Sequence, residues 1–366
     1  MSKTSPNPNK QDPLLQGLLK SGLPLEAQVA TILDRQGFEV MGEYGYMRPD
    51  PAGVLKKHSV DIRARKFIVN TNNEHWADFE LLVECKYNHP SCHWVFAPGK
   101  FTGHGYGGTA TLHDDLCPSR TRNHDLAEAS LWDIDGKTER CIKGAVLFSK
   151  GNGNGRGDSV EAAVEHGASQ LRHAVPQLLA RALQYQAHME SDDRVTAIVL
   201  CPLLVTNAPL HVLKKGATVR RVQDARSLSE VTKEYQFVRL ARALGPDLED
   251  YTDSLTETAL KSSRVDARLT EVAAILGTSK PTLAPSGWKI QFAARNATEV
   301  VMVVRLEYLS RLIRWYLTRL DAIGGDIVHY ATLEPGPQGS ASRLRALDAS
   351  LLDDSLNALA SRRRNP

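Results

Sequence analysis

The chain has 366 residues, 42% of them hydrophobic, with a formal net charge of +3. That is enough apolar mass for a sizeable core in one large or two modest domains, and too mild a basic excess to establish a nucleic-acid partner by itself. Five cysteines without an evident pairing pattern argue for a reducing compartment, and no apolar run of membrane length or signal-peptide pattern is present, so a cytoplasmic protein with no membrane partner is expected.

Residues 1–12 are rich in Ser, Asn, Pro and Lys and read as a disordered tail. A helix is predicted from Pro24 to Gln36, with proline in its first turn, Gly37 at its end, and Leu25, Val29, Ile32 and Leu33 as its apolar stripe. Glu26 borders that stripe. It is either a first-turn acid favoured by the helix dipole or a functional acid at the core boundary. Gly37 to Met41 starts a strand.

Two further strands follow, Val60 to Val69 and Phe79 to Lys86, separated by the polar stretch Asn70 to Asp78. A hairpin is the economical reading, and it brings Asp61 close to the second strand. Strand alternation puts Glu84 and Lys86 on one face and Val83 and Cys85 on the other. Two acids and a lysine then converge at one end of a buried sheet, which is costly unless they pair or bind a cation. A hard divalent metal with oxygen ligands resolves that cost.

Residues 88 to 140 carry the weakest pattern and read as a long insertion. His89, Cys92, His93, His113, Cys117 and His124 offer zinc-type ligands without a paired-ligand motif. Lys100, Arg120 and Arg122, with Trp94, Phe96 and Tyr106, are candidate nucleic-acid contacts. Gly144 to Ser149 reads as a buried strand. The glycine-rich stretch Gly151 to Asp158 is either a connector or a poor match to a phosphate loop, lacking its Gly-Lys-Ser/Thr ending. A helix is predicted from Val160 to His188, kinked at Pro176, and a buried strand from Arg194 to Val205. Strand–helix–strand argues for a parallel pair joined by a right-handed crossover.

After Asn207 the text changes. Short strands are predicted at His211 to Leu213 and Ala217 to Val222, and Val231 to Ala243 is strand or helix. Residues 244–261 are acidic and Thr/Ser-rich. Leu269 to Leu276 reads as helix, and Trp288 to Phe292 and Glu299 to Val304 as strands. Leu306 to Leu320 has strong helical spacing, with Arg311, Arg314 and Arg319 on a side that is either solvated or a nucleic-acid face.

Asp61 followed by Glu84-Cys85-Lys86 on the next strand resembles the motif of the PD-(D/E)XK nuclease superfamily. The resemblance takes in Glu26 upstream and the Gln170 helix with its flanking strands downstream, ending near Asn207. Val60 stands where proline often precedes the family's aspartate. The resemblance implies an α/β fold: a restriction-endonuclease-like core with a mixed central sheet flanked by helices over residues 13–209, the insertion at about 88–140 included. Residues 210–366 are then a C-terminal α+β extension or a second domain.

The same resemblance implies a nuclease that hydrolyses phosphodiester bonds, in DNA, in a restriction or genome-defence setting, as a homodimer or within a multi-subunit complex. Mg2+, with Mn2+ as a substitute, is expected on Asp61, Glu84 and the Cys85 carbonyl, and Lys86 beside the attacked phosphate. Glu26 is implied to hold a second metal or its water, and Gln170 to lie near the metal. Two other readings stay open: a non-cleaving DNA-binding or assembly subunit on the same fold, and a structural ion pair of these acids with Arg63 or Lys86.

Overall fold

The computed structural model describes residues 12–50, 52–69, 75–99, 134, 138–148, 162–186, 197–261, 267, 295 and 297–326. Residues 1–11, Lys100, Arg120, Arg122, Tyr106, His113, Cys117, His124, Gly151 to Asp158, Leu269 to Leu276 and Trp288 to Phe292 lie outside the described residues.

Ten strands form one mixed sheet: β1 (Glu39–Pro49), β2 (Leu55–Val69), β3 (His75–Lys86), β4 (Cys92–Pro98), β5 (Thr138–Phe148), β6 (Ala197–Thr206), β7 (Leu210–Leu213), β8 (Thr232–Tyr235), β9 (Phe237–Ala241) and β10 (Val300–Arg305). Their spatial order is β1-β2-β3-β6-β10-β9-β5-β4-β7-β8. The helices are α1 (Pro13–Lys20), α2 (Leu23–Arg35), α3 (Ala162–Gln186), α4 (Val219–Asp224), α5 (Leu228–Val231), α6 (Pro246–Leu260) and α7 (Leu306–Asp326).

The sheet separates two cores. On one face Leu25, Val29 and Leu33 of α2 and Leu309, Leu312, Ile313, Tyr316 and Leu320 of α7 meet Ile62, Leu81, Val83, Leu203 and Met302. On the other, Leu171, Val175, Leu178 and Leu179 of α3 meet Val60, Leu82, Leu204 and Val303. Both helical sets recur every three or four residues, the spacing that keeps one stripe against a sheet. β6 and β10 lie between the two cores and have apolar residues on both faces, as strands covered twice must. Each fully buried Leu or Val there contributes roughly 1.5–3 kcal/mol.

The hairpin of β2 and β3 is antiparallel, and β3 runs parallel to β6 over the whole span from Ala77–Ala197 to Lys86–Thr206. The predicted parallel pairing of the Gly144 strand with the Arg194 strand does not occur. β10 and β9 stand between β6 and β5 in the sheet; β10 runs parallel to β6, β9 antiparallel to β10, and β5 parallel to β9. β5 is therefore antiparallel to β6, because two strands from beyond residue 210 supply the neighbours that a local crossover would have supplied. The predicted strand at Ala217 to Val222 is instead the helix α4, capped by Thr218, whose hydroxyl accepts from Arg221 N at 3.2 Å. Pro176 sits inside an unbroken α3.

Candidate active site

The site begins with an irregularity in β2. Gly42 pairs with Arg63 and Tyr44 with Val60, so Glu43 of β1 faces two residues of β2, Asp61 and Ile62. The extra residue shifts the alternation. Ile62 packs in the core under α2 and α7, whereas Val60, two residues earlier, packs in the core under α3. In an unbroken strand the two would share a face. Pairing of β2 with β3 starts only at Ile62–Val83. Asp61 is thereby released from the ladder, and its Oδ2 accepts a hydrogen bond from the Cys85 main-chain N–H at 2.6 Å.

β3 carries Glu84 and Lys86 on the α3 side, while the Cys85 side chain lies in the opposite core. Lys86 Nζ donates to Glu84 Oε1 in a close ion pair and to Gln170 Oε1 at 3.3 Å. Gln170 in turn donates from Nε2 to the Ser59 carbonyl at 3.0 Å, tying α3 to the start of the bulge. The Lys86 main chain is fixed as well. Asn88 Nδ2 donates to the Lys86 carbonyl and to Thr206 Oγ1, both at 2.9 Å, and the Asn207 side chain bonds the Asn88 main chain through both its atoms. α3 comes so close at Gly167 that a Cβ there would lie 2.7 Å from Leu204 Cδ1 and 3.2 Å from Lys86 Cε.

The electrostatics couple the four acids of this end. Burial, then repulsion from Asp61, pushes Glu84 up to about 7, with Lys86 opposing. Burial also raises Asp61 against the hydrogen bond from Cys85. Glu26 on α2 is raised by burial and by Asp61, and Glu43 adds repulsion to both Glu26 and Asp61. Hydrogen bonds join Glu84, Lys86 and Gln170, with Asp61 held beside them by the Cys85 N–H, whereas Glu26, on the helix of the opposite face, reaches them only through the field of Asp61 and Lys86.

Glu84 is 1% exposed, and its Oε2 is a buried acceptor without a hydrogen-bond partner. A carboxylate that is buried, repelled and short of one partner is the environment a hard cation relieves. The residues fit Mg2+ or Mn2+ in that sense. Among the described residues no group of three or more His, Cys, Asp and Glu side chains is arranged to hold a metal ion. Asp61 and Glu84 offer two carboxylates, so main-chain, water and substrate oxygens would complete the shell.

Arg63 does not pair with Asp61. Its guanidinium holds both oxygens of Glu80, at 2.9 and 2.7 Å. Lys86 does pair with Glu84, as the ion-pair reading expects. Of the zinc-type residues, Cys92 is buried in the α3-side core, His89 bonds Ser91, and His93 Nδ1 lies 3.0 Å from His211 Nε2. Cys92 and His93 therefore do not converge. Sequence reading misses Glu43, Gly167 and the Asn88–Asn207 clasp. An isolated glycine inside a helical run was the available signal for Gly167.

These elements define a mixed α/β protein with a cluster of acids and one lysine at the end of its central strands. The chain matches no protein-family model, no curated protein and no solved structure.

Proposed function

We propose that the chain is a metal-dependent nuclease with a restriction-endonuclease-like core, hydrolysing phosphodiester bonds in DNA. The observation that carries the reading is the partnerless buried oxygen of Glu84 beside Asp61, with Lys86 clamped next to it. Asp61, Glu84 and the Cys85 carbonyl would hold Mg2+, or Mn2+ in its place; the ion would supply charge neutralisation at the phosphate and a water of lowered pKa. Lys86 Nζ, fixed by Glu84 and Gln170, presents donors where negative charge grows on the phosphorus oxygens. Glu26, which shares the field of Asp61 and Lys86, would serve a second ion or a water proton. A restriction or defence role, and assembly as a dimer or within a larger complex, extend the reading by analogy.

The test is incubation of plasmid, linear, methylated and single-stranded DNA with Mg2+, for the native chain and Lys86→Ala. Cleavage by the native chain alone is expected, with duplex binding little changed in the variant, since one cation among many phosphate contacts is removed. Equal cleavage by both proteins overturns the role of Lys86. Binding without cleavage under every metal tried favours the non-cleaving subunit.

A further inference from the structure

α3 carries a second polar stripe beside the one that reaches Lys86. Glu165, Ser169, Arg172 and His173, at helical spacing, form the polar wall of a cavity of about 120 Å3. Leu240 of β9, Leu248 of α6 and Val301 of β10 form its apolar wall, and Arg242, just past β9, completes it. Neither Lys86, Gln170 nor any acid of the candidate active site lines it. We infer that this cavity binds a small monocarboxylate, with the carboxylate group on Arg172 and a short apolar body against Leu240, Leu248 and Val301. Such a site stands whether or not the chain cleaves DNA.

Arg172 sets the charge of the ligand. Its Nε donates to the Thr298 carbonyl at 2.6 Å, and its Nη2 to the Arg242 and Ala243 carbonyls at 3.0 and 3.2 Å. All three acceptors are neutral main-chain groups, and Nη1 has no partner among the described residues. No described carboxylate forms an ion pair with Arg172; Glu165, the acid of the same wall, is taken by Arg242 in a close pair. A half-buried guanidinium without a counter-ion in contact carries a desolvation cost that a carboxylate from solution relieves. The three carbonyls also fix the guanidinium before any ligand arrives, so little ordering entropy remains to be offset.

The other polar groups leave that sign unchanged. His173 Nδ1 donates to the Ser169 carbonyl at 2.7 Å, a group that can only accept, and burial lowers the ring to about 4. The imidazole is therefore neutral, with its proton on Nδ1 and a lone pair on Nε2. Burial, then Arg242, bring Arg172 down to about 10, while Glu299 and Glu165 oppose them without an ion-pair contact. Burial holds the Glu299 proton up to about 7, so below that pH this acid does little to neutralise Arg172. The volume equals about four waters at their share of the liquid. It falls well short of the roughly 300 Å3 at which pockets for drug-sized ligands begin, which excludes a nucleotide and admits a carboxylic acid of a few carbons.

The experiment is isothermal titration calorimetry of the full chain at neutral pH with butyrate, with butyramide as its neutral counterpart, and with inorganic phosphate. The native chain is compared with Arg172→Met and with Ser169→Leu, which fills the cavity and leaves the Arg172 hydrogen bonds in place. The native chain should bind butyrate at least about tenfold more tightly than butyramide, the ratio for one charge-assisted hydrogen bond, and more tightly than phosphate, which has no apolar body. Arg172→Met should lose the preference for butyrate over butyramide, and Ser169→Leu should bind neither. If Arg172→Met does not fold, the butyramide comparison and Ser169→Leu decide the matter. No binding of butyrate by the native chain, or equal binding of butyrate and butyramide, overturns the site. Unchanged butyrate binding in Ser169→Leu puts the ligand elsewhere and overturns it as well. Tighter binding of phosphate than of butyrate overturns the carboxylate in favour of an inorganic anion.

Discussion

Neutralising Glu84 should stabilise the metal-free protein, and by an amount that depends on pH. The folded state holds the Glu84 proton up to about 7, whereas the group's ordinary value is 4.5. A carboxylate with a raised folded pKa favours folding below the unfolded value and loses that contribution as pH rises through the folded one. The window is therefore between 4.5 and about 7. At about 1.4 kcal/mol per pH unit, the loss across it is on the order of 3 kcal/mol. His173, lowered to about 4 by burial, acts with the opposite sign, since the unfolded chain takes up its proton first. The native chain's own pH profile also carries Glu299, raised to about 7, and the raised Asp61 and Glu26, so the difference between native chain and Glu84→Gln isolates Glu84 together with its coupling to Asp61.

The assay is urea unfolding of both proteins in EDTA at about pH 5 and about pH 8. Near pH 5 the two should differ little; near pH 8 Glu84→Gln should be the more stable by about 3 kcal/mol. Saturating Mg2+ at the higher pH should then restore the native chain, by about 2.7 kcal/mol at a hundredfold excess over Kd, and leave Glu84→Gln where it was. A difference that stays flat with pH would refute the buried, ionising carboxylate. Equal stabilisation of both proteins by Mg2+ would remove Glu84 from the ligand set.

Gly167→Ala trades a helix-propensity gain of about 1 kcal/mol against overpacking on Leu204 and Lys86 of about 1–3 kcal/mol. Its melting temperature should move little and its nicking rate should fall clearly; unimpaired nicking would show that Lys86 does not depend on that contact. Arg63→Ala leaves Glu80, 3% exposed, with only the weaker Arg65 contact at 3.6 Å among the described residues. Urea unfolding should show a cost of about 3 kcal/mol, the lower end for a broken buried pair, while Mg2+ affinity stays at the native value.

The parts of the fold readable in advance are those fixed by local period. α2 and α7 have apolar residues at helical spacing, and β3 ends in an alternation that fixes which side Glu84 and Lys86 share. The bulge at Asp61 was not readable, because register depends on how many residues β1 offers opposite, and β1 runs well beyond the few residues whose composition suggests a strand. Sheet order was not readable for a related reason: β10 is adjacent to β6 across a separation of about a hundred residues, which no local pattern encodes. α6 is rich in acids, Thr and Ser, and its buried stripe of Leu248, Thr252, Thr256 and Ala259 is half threonine, which hid its helical period. Its Thr252 and Thr256 hydroxyls donate back to carbonyls four residues earlier, at 2.7 and 2.8 Å, which lets polar residues be buried in a helix.

Glu80 and Glu84 make the division between structure and chemistry concrete. Both are glutamates of β3, four residues apart on the face toward α3, and both are almost fully buried. Glu80 receives two hydrogen bonds from one guanidinium, so each oxygen has its donor and the charge has its counter-ion. Glu84 receives one ammonium on Oε1, has no donor on Oε2, and faces the repulsion of Asp61. Core packing gives no reason for the second arrangement, since a neutral or apolar residue of similar size would remove the repulsion at no loss of contact. On the proposed reading, the glutamate the sheet leaves short is the one a cation from outside would complete.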